Sequence, residues 1–544
     1  MLHSTHQTHP IMKPSLLLLS IASALLAGCS DSDSPLTPDT PQQPDFVSVE
    51  KAVSIDAGTT YQTMRGFGAS DCWTADYVGQ YWTRQRDAIS ELLFSTDIAD
   101  GRAKGIGLSQ WRVNLGGGTA AQGDASGIGD KTRRAASFLT GTGQYDWNNC
   151  RGQQYFMQRA KDMGCPSFVL FSNTPPVQFT RNGKGFSASG ACSNLKEDAY
   201  DDFADYLATV AQHYLHAGYP VTHLSPVNEP QYNWDSGQEG SGWQNSEVAR
   251  LIRELDRALT DKQADVTILP GEAGDWEYLY KTKGDATRSN VIADFFTPSS
   301  ADYIGNLKHT ANLLCGHSYW TDGTWNGMRK VRQQVAAAAQ AKDIELWQSE
   351  WSMLGDGYSS EEFVGYDKAT EMDIALYMSK VIHNDLTQAG VGSWSFWTSM
   401  DVPRWGHQNR FLLIALTPAG GENGDLAQEG SYRPTATLWV LGNYSRFIRP
   451  GYVRIRMDYN ESRHFFASVW MSPDKKEVVA VYTNLTSDKG IRLSETHTGW
   501  QGKTASVRLY TTTARKQLAE SSVSPDGPVV LEPMSVTTVV YQLN

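Results

Sequence analysis

Between Arg65 and Ser399 short β-type runs alternate with longer stretches of helical periodicity. Eight runs stand out: RGFGAS near Phe67, LSQWRVNL near Trp111, SFVLFSN near Val169, THLSPVNE near Pro226, VTILPGE near Ile268, LLCGHSYW near Gly316, IELWQSE near Leu346 and VGSWSFWT near Ser395. Such alternation is the signature of repeated βα units, and eight of them in series predict an α/β fold of the (β/α)8 barrel type. The intervening segments support helices. From Tyr200 to His216, the residues Phe203, Tyr206, Leu207, Val210 and Tyr214 fall on one face of a 3.6-residue period, and RPTATLWVLGNYSRFI, from Arg433 to Ile448, reads as the closing helix.

A chain of 544 residues is too long for one ordinary core. After Pro450 the texture changes to alternating strands with polar turns, YVRIRM, FFASVWM, EVVAVYTNL, ASVRLYTT and VVLEPMSVTTVVYQL, which predicts a small all-β sandwich. FVSVEKAVSIDAG, ahead of the barrel, is also strand-like and is expected to join that sandwich. The expected organisation is a signal peptide over 1–28, a tether over 29–45, an N-terminal strand over 46–64, the barrel over 65–448 and the sandwich over 449–544.

MKPSLLLLSIASALLAGCS, from Met12, has a single lysine, an apolar stretch too short for a comfortable membrane span, and a small-residue exit. Leu26-Ala27-Gly28-Cys29 resembles a bacterial lipobox, which implies cleavage before Cys29 and a lipid on that cysteine, with Met12 as the start of the natural chain. An ordinary secretory signal is the alternative. Ser30 to Asp45 is polar and Pro-rich, unable to bury a core, and acts as a tether. The acidic SDSD after Cys29 resembles an export signal of surface lipoproteins. The expected location is therefore the bacterial cell envelope, lipid-anchored in the outer membrane and facing outward. Cys72, Cys150, Cys165, Cys192 and Cys315 show no metal-ligand spacing, which predicts no zinc site and at most one or two disulfides. A formal charge of −12 argues against a nucleic-acid partner.

In a barrel, catalytic groups stand where strands end and βα loops begin. Glu229 lies just past the apolar LSPV, and Pro230 stops the strand. Taken alone, Asn-Glu-Pro is more often a loop-capping device than a catalytic one. Glu350 in LWQSEWSM holds the matching point on the seventh strand, so two carboxylates face one another across the barrel mouth. Such a pair suits glycoside hydrolysis, in which one carboxyl protonates the leaving oxygen and the other attacks or supports the anomeric carbon. Arg112, at the end of the second strand, is a cation suited to keeping the second carboxylate ionised. Glu272 in LPGEAGDW is the first substitute for the acid.

GFGAS, WRVNLGGG, FSNTPP, VNEP, HSYW, SEW and GNYSRFIRPGY occur in an order that resembles glycoside hydrolase family 30, in the clan A of retaining (β/α)8 hydrolases. That resemblance implies Glu229 as general acid/base, Glu350 as nucleophile, Asn228 bonded to the sugar 2-hydroxyl, a double-displacement mechanism, and no metal or organic cofactor. It also implies a β-sandwich built from C-terminal strands and an N-terminal one. Further candidates for substrate binding are Arg112, Tyr319, His317, Trp397, Trp73, Asp71 and Trp234, with Trp243 and Trp320 beside them; Trp397 holds the position of a platform beneath the sugar before the cleaved bond. FSNTPPVQFTRNGKGF and WRVNLGGGTAAQGDASGI look most like the endo-β-1,6-galactanase branch, which implies arabinogalactan side chains as substrate. No dedicated basic cluster assigns uronate recognition, although Arg181 and Lys184 stand on the third loop and could contact an acidic decoration. β-1,6-Glucanase, xylanase or β-xylosidase, and glucosylceramidase-type activities remain open within the family, as does a surface lipoprotein that binds glycan without cleaving it.

Overall fold

The computed structural model describes residues 46–188, 193–354, 368–405 and 409–544. The lipobox with Cys29, the tether and Cys192 lie outside the described residues.

All eight runs are strands, and all are parallel. In chain order they are Gly66–Ser70, Gln110–Asn114, Phe168–Phe171, Val221–Ser225, a fifth strand in two pieces (Thr267–Ile268 and Gly271–Ala273), Leu313–His317, Glu345–Trp351 and Ser393–Phe396. Pro270 interrupts the fifth strand because it has no N–H to give the ladder. Its first piece pairs with the fourth strand through Leu224 and Ile268, and its second with the sixth through Gly271 and Cys315. The eighth strand pairs with the first, Ser393 opposite Gly66, and the circle closes. Val169, Leu269, Leu313, Cys315 and Trp347 form a buried cluster inside it, with the His223 ring 4.4 Å from Trp347. Close packing of the interior demands Gly68: a Cβ there would stand 2.6 Å from Ser395 Oγ and 2.9 Å from the Gln110 carbonyl oxygen.

Helices cover the outside. Tyr200–His216 buries the five predicted apolar residues against the barrel wall. The helix Glu371–Asn384, after the seventh strand, starts at a capping box in which the Thr370 hydroxyl accepts from Asp373 N–H and the Asp373 carboxylate accepts from Thr370 N–H, an arrangement that contributes about 1 kcal/mol. Ala436–Ser445 is buried along nearly its whole circumference, because the barrel covers one side and the second domain the other. Asn443 donates to the Tyr510 carbonyl and accepts from the Thr538 hydroxyl at its own carbonyl, at 2.8 and 2.6 Å.

The second domain is β-rich. Val47–Thr63 lies between Val453–Tyr459, to which it is antiparallel, and Lys489–Thr498, to which it is parallel. The early strand-like segment therefore belongs to this domain and ties the two ends of the described chain together. Lys489–Thr498 and Ala519–Val523 are strands that the pattern did not announce. The four described cysteines, Cys72, Cys150, Cys165 and Cys315, are free and buried, so no disulfide links them. No described helix is long and apolar enough to cross a membrane.

Candidate active site

The C-terminal ends of the strands open into a cleft of about 800 Å3, and Glu229 and Glu350 both line it. Carboxylate oxygens of the two stand within 4.8 Å of one another. Glu350 is the last but one residue of the seventh strand. Glu229 follows the fourth strand in a left-handed backbone conformation, φ +40°, uncommon for a residue with a side chain. That turn is held from both sides: Glu229 N–H donates to the Glu272 carbonyl at 2.9 Å, while Trp234 Nε1 and the Tyr232 N–H donate to the Glu229 carbonyl at 3.1 and 3.0 Å.

Beneath the pair lies a fully buried set of charges. Arg112 Nη1 donates to Glu350 Oε2, and its Nη2 donates to Asn228 Oδ1 at 2.9 Å and to Glu272 Oε2 at 3.4 Å; its guanidinium also lies over the Phe171 ring. His317 lies with Nδ1 3.0 Å from Glu229 Oε1 and Nε2 2.9 Å from Glu272 Oε2. Glu272 accepts in addition from the Ser225 hydroxyl at 2.5 Å and the Ser349 hydroxyl at 2.6 Å. Tyr319 completes the set, its hydroxyl donating to Glu350 Oε1 at 3.1 Å.

These contacts decide the charge states. Burial works against an imidazolium at His317, but Glu350, Glu229 and Glu272 outweigh it and push the ring up to about 10. With both nitrogens protonated, His317 donates to two carboxylates at once. Burial also opposes ionisation of Glu272, yet Arg112, His317 and Ser225 hold its carboxyl well below the usual carboxylate range. Burial raises the Glu350 carboxyl, with His317 and Arg112 pulling against the rise and Glu229 adding to it. Glu229, His317 and Glu350 bring donor atoms close enough for a metal ion. As an imidazolium, His317 sets a positive charge and two N–H donors against Glu229 and Glu272.

The expected site residues sort into two groups. Asn228, Tyr319, Trp397, Trp73 and Trp234 line the cleft. Arg112 holds the Asn228 amide oxygen, so the NH2 is what Asn228 can offer a ligand. Trp73 and Trp397 meet edge to face, ring centroids 5.1 Å apart, on the side of the first and eighth strands. Arg112 and His317, by contrast, are buried beneath the carboxylates and do not line the cleft, so their expected contact with substrate gives way to a positioning task. Asp71 departs from expectation too: its carboxylate accepts from Asn114 N–H at 2.9 Å and Gln153 Nε2 at 2.7 Å, lines a separate cavity of about 170 Å3, and is pushed up to about 7 by burial. Trp243 is a core residue packed on Tyr200. Glu272 is 0 % exposed, ionised and spoken for by four side chains, and is no substitute acid. Arg181 and Lys184 donate to backbone carbonyls of Leu195 and Ala125 and lie outside the cleft lining. Asn173, Tyr278 and Phe411, none of them singled out as a site residue, also line the cleft after the third, fifth and eighth strands; Asn173 stands in the FSNTPP landmark and Tyr278 in the short helix Glu277–Tyr280.

The sequence pattern of O-glycosyl hydrolase family 30 matches residues 50–407. The chain belongs to that family. Among curated relatives, this family 30 hydrolase is similar to an endo-beta-1,6-galactanase of Hypocrea rufa, 24% identical over 456 residues that cover 80% of this chain and 79% of the relative. It also resembles a glucuronoxylanase of Bacillus subtilis (strain 168), 22% identical over 56% of each chain. A crystal structure of a conserved exported protein from Bacteroides fragilis shares its fold with a TM-score of 0.83 at 30% identity, covering 90% of the family 30 chain and 100% of the other.

Proposed function

We propose that this hydrolase cleaves β-1,6-linked galactan with net retention, Glu350 acting as nucleophile and Glu229 as acid and then base. The observation that supports the mechanism is the close approach of the two side chains, one oxygen of Glu229 lying within 4.8 Å of one oxygen of Glu350. Retaining glycosidases keep the two carboxyls about 5–5.5 Å apart, whereas inverting enzymes need about 6.5–9.5 Å to seat a water between them.

In the first step Glu350 attacks the anomeric carbon, the bond to the leaving oxygen breaks, and the proton of Glu229 passes to that oxygen. The product is a glycosyl ester on Glu350. In the second step Glu229, now a carboxylate, takes a proton from water, the water oxygen bonds to the anomeric carbon, and Glu350 leaves as a carboxylate. Arg112 and Tyr319 fix both oxygens of Glu350. The Asn228 NH2 is placed to bond a sugar hydroxyl, and Trp397 with Trp73 offers flat apolar surface to the ring.

The choice of galactan rests on the galactanase relative, which matches across four-fifths of the chain. The cleft's own charge supports a neutral glycan: Asp130, Asp235, Glu229 and Glu350 line it, and among its described lining Arg133 is the one cation, paired with Asp401 at 2.8 Å. The lipobox and tether support attachment through Cys29 to the cell envelope, where such a polymer would be met. The test is to incubate residues 45–544 with de-arabinosylated arabinogalactan, β-1,6-glucan and xylan. β-1,6-Galacto-oligosaccharides are the expected products; cleavage of glucan or xylan with galactan left intact refutes the substrate, and turnover of none refutes all three polymers as substrates.

A further inference from the structure

Two aromatic rings stand outside the catalytic set. Tyr232 and Trp320 are 49% and 50% exposed, and their planes are parallel to within 9° with centroids 6.4 Å apart. Single exposed aromatics are ordinary on a protein surface, but here two rings are held with parallel planes, Tyr232 lining the cleft and Trp320 beside it, and together they offer a paired apolar shelf. Each comes from the loop that follows a residue of the buried charge set, Tyr232 after Glu229 and Trp320 after His317. Trp320 holds its place in a left-handed backbone conformation, φ +53°, which a bulky residue adopts at a cost. Both rings are braced from below: Trp320 packs on Tyr319 at 5.7 Å, and Tyr232 on Trp234 at 5.3 Å, with the Trp234 indole bonded to the Glu229 carbonyl.

Position gives the shelf its direction. Glu229 protonates the leaving oxygen, so the departing part of the substrate lies on the Glu229 side of the cleft. Trp73 and Trp397 flank the opposite side, on the first and eighth strands, next to Glu350. Tyr232 and Trp320 rise from the loops after the fourth and sixth strands, across the barrel from the first and eighth, with Tyr232 three residues past Glu229. The C–H faces of a sugar ring match such flat apolar surface, and the hydroxyls around the ring edge stay in water.

We infer that Tyr232 and Trp320 form an aromatic platform for the sugar units on the reducing-end side of the cleaved bond. The inference rests on the reading of Glu229 as acid and assigns what the leaving side binds: further sugars of the same β-glycan, which adapts the site to bonds inside a chain.

The experiment compares wild type with Trp320→Ala and Tyr232→Ala on two substrates. One is polymeric β-1,6-galactan; the other is β-1,6-galactobiosyl fluoride, whose leaving group is too small to reach the platform. Both side chains are half exposed, so the variants are expected to fold, and thermal melting checks this. The expected result is a loss of kcat/KM of roughly tenfold or more on the polymer, and a loss at least tenfold smaller on the fluoride. Equal losses on both substrates, or none on either, overturn the platform. A wild-type enzyme that ignores galactan but cleaves another β-glycan refutes the substrate reading alone, and the same comparison on that glycan and its fluoride then decides the platform.

Discussion

His317 touches Glu229 at 3.0 Å and stands 3.8 Å from Glu350, so one imidazolium faces both carboxylates of the pair. In the proposed mechanism these two glutamates must differ in charge, one giving a proton while the other attacks, and the ring contacts both. Their roles can be told apart by the stereochemistry of rescue. Glu350→Gln is expected to lower turnover by at least about a thousandfold with the fold intact. Glu229→Ala should retain turnover only on substrates with good leaving groups, and added azide should restore it and give the β-glycosyl azide, because azide intercepts an α-linked ester on Glu350. Glu350→Ala with azide should give the α-azide by a single displacement. Product anomers exchanged between the two variants would reverse the assignment.

The charge on His317 has a pH signature. Its folded value of about 10 exceeds the ordinary 6.5, so its contribution to stability is fully present below about pH 6.5 and is lost as pH rises through about 10. Denaturant unfolding at pH 7 and pH 10 should show a fall in stability that is smaller in His317→Asn. Nitrogen NMR of labelled histidine should find the ring still protonated at pH 8. A neutral ring at that pH contradicts the assignment.

The strand-end logic made Glu229 and Glu350 legible in the sequence, because an apolar run followed at once by a carboxylate has few structural explanations when it occurs twice. The same logic also nominated Glu272, and there it failed. Glu272 ends its strand in the same way, but Pro270 breaks that strand and Glu272 adopts φ +53°, with its carboxylate delivered to Arg112, His317, Ser225 and Ser349. Those partners come from four other strands, and a local pattern carries no record of them. Asp71 was misread for the same reason. Lys489–Thr498 escaped notice because half of it is exposed and polar, leaving only three buried residues to mark a strand. Ala519–Val523 buries none.

Glu272 is therefore predicted to act on the cleft without touching it. Its carboxylate answers two buried cations, and a neutral amide would leave both under-compensated. Glu272→Gln should cost about 3 kcal/mol of stability, the usual result of breaking a buried ion pair. It should also lower the pH at which His317 loses its proton, visible in the same nitrogen NMR titration. A variant with unchanged stability and an unchanged His317 titration would reduce Glu272 to a bystander.

Gly274 supplies a gentler perturbation. A Cβ on this residue would stand 3.0 Å from Glu229 Oε1 and 2.6 Å from Gln231 Nε2. The Gln231 amide is the end of a flexible side chain and can swing aside. The Glu229 carboxylate is fixed by His317 and has to shift by a few tenths of an ångström against that hydrogen bond. Displacement of a catalytic group on that scale is costly to the rate and cheap for the fold. Gly274→Ala should melt within a few degrees of wild type, while kcat/KM on the natural glycan falls roughly tenfold or more. On an aryl glycoside whose leaving group needs no proton, the loss of kcat/KM should be much smaller, because kcat/KM reports the first step and Glu229 gives no proton there. A loss of equal size on both substrates would mean that the methyl group disturbs Glu350 or the sugar itself.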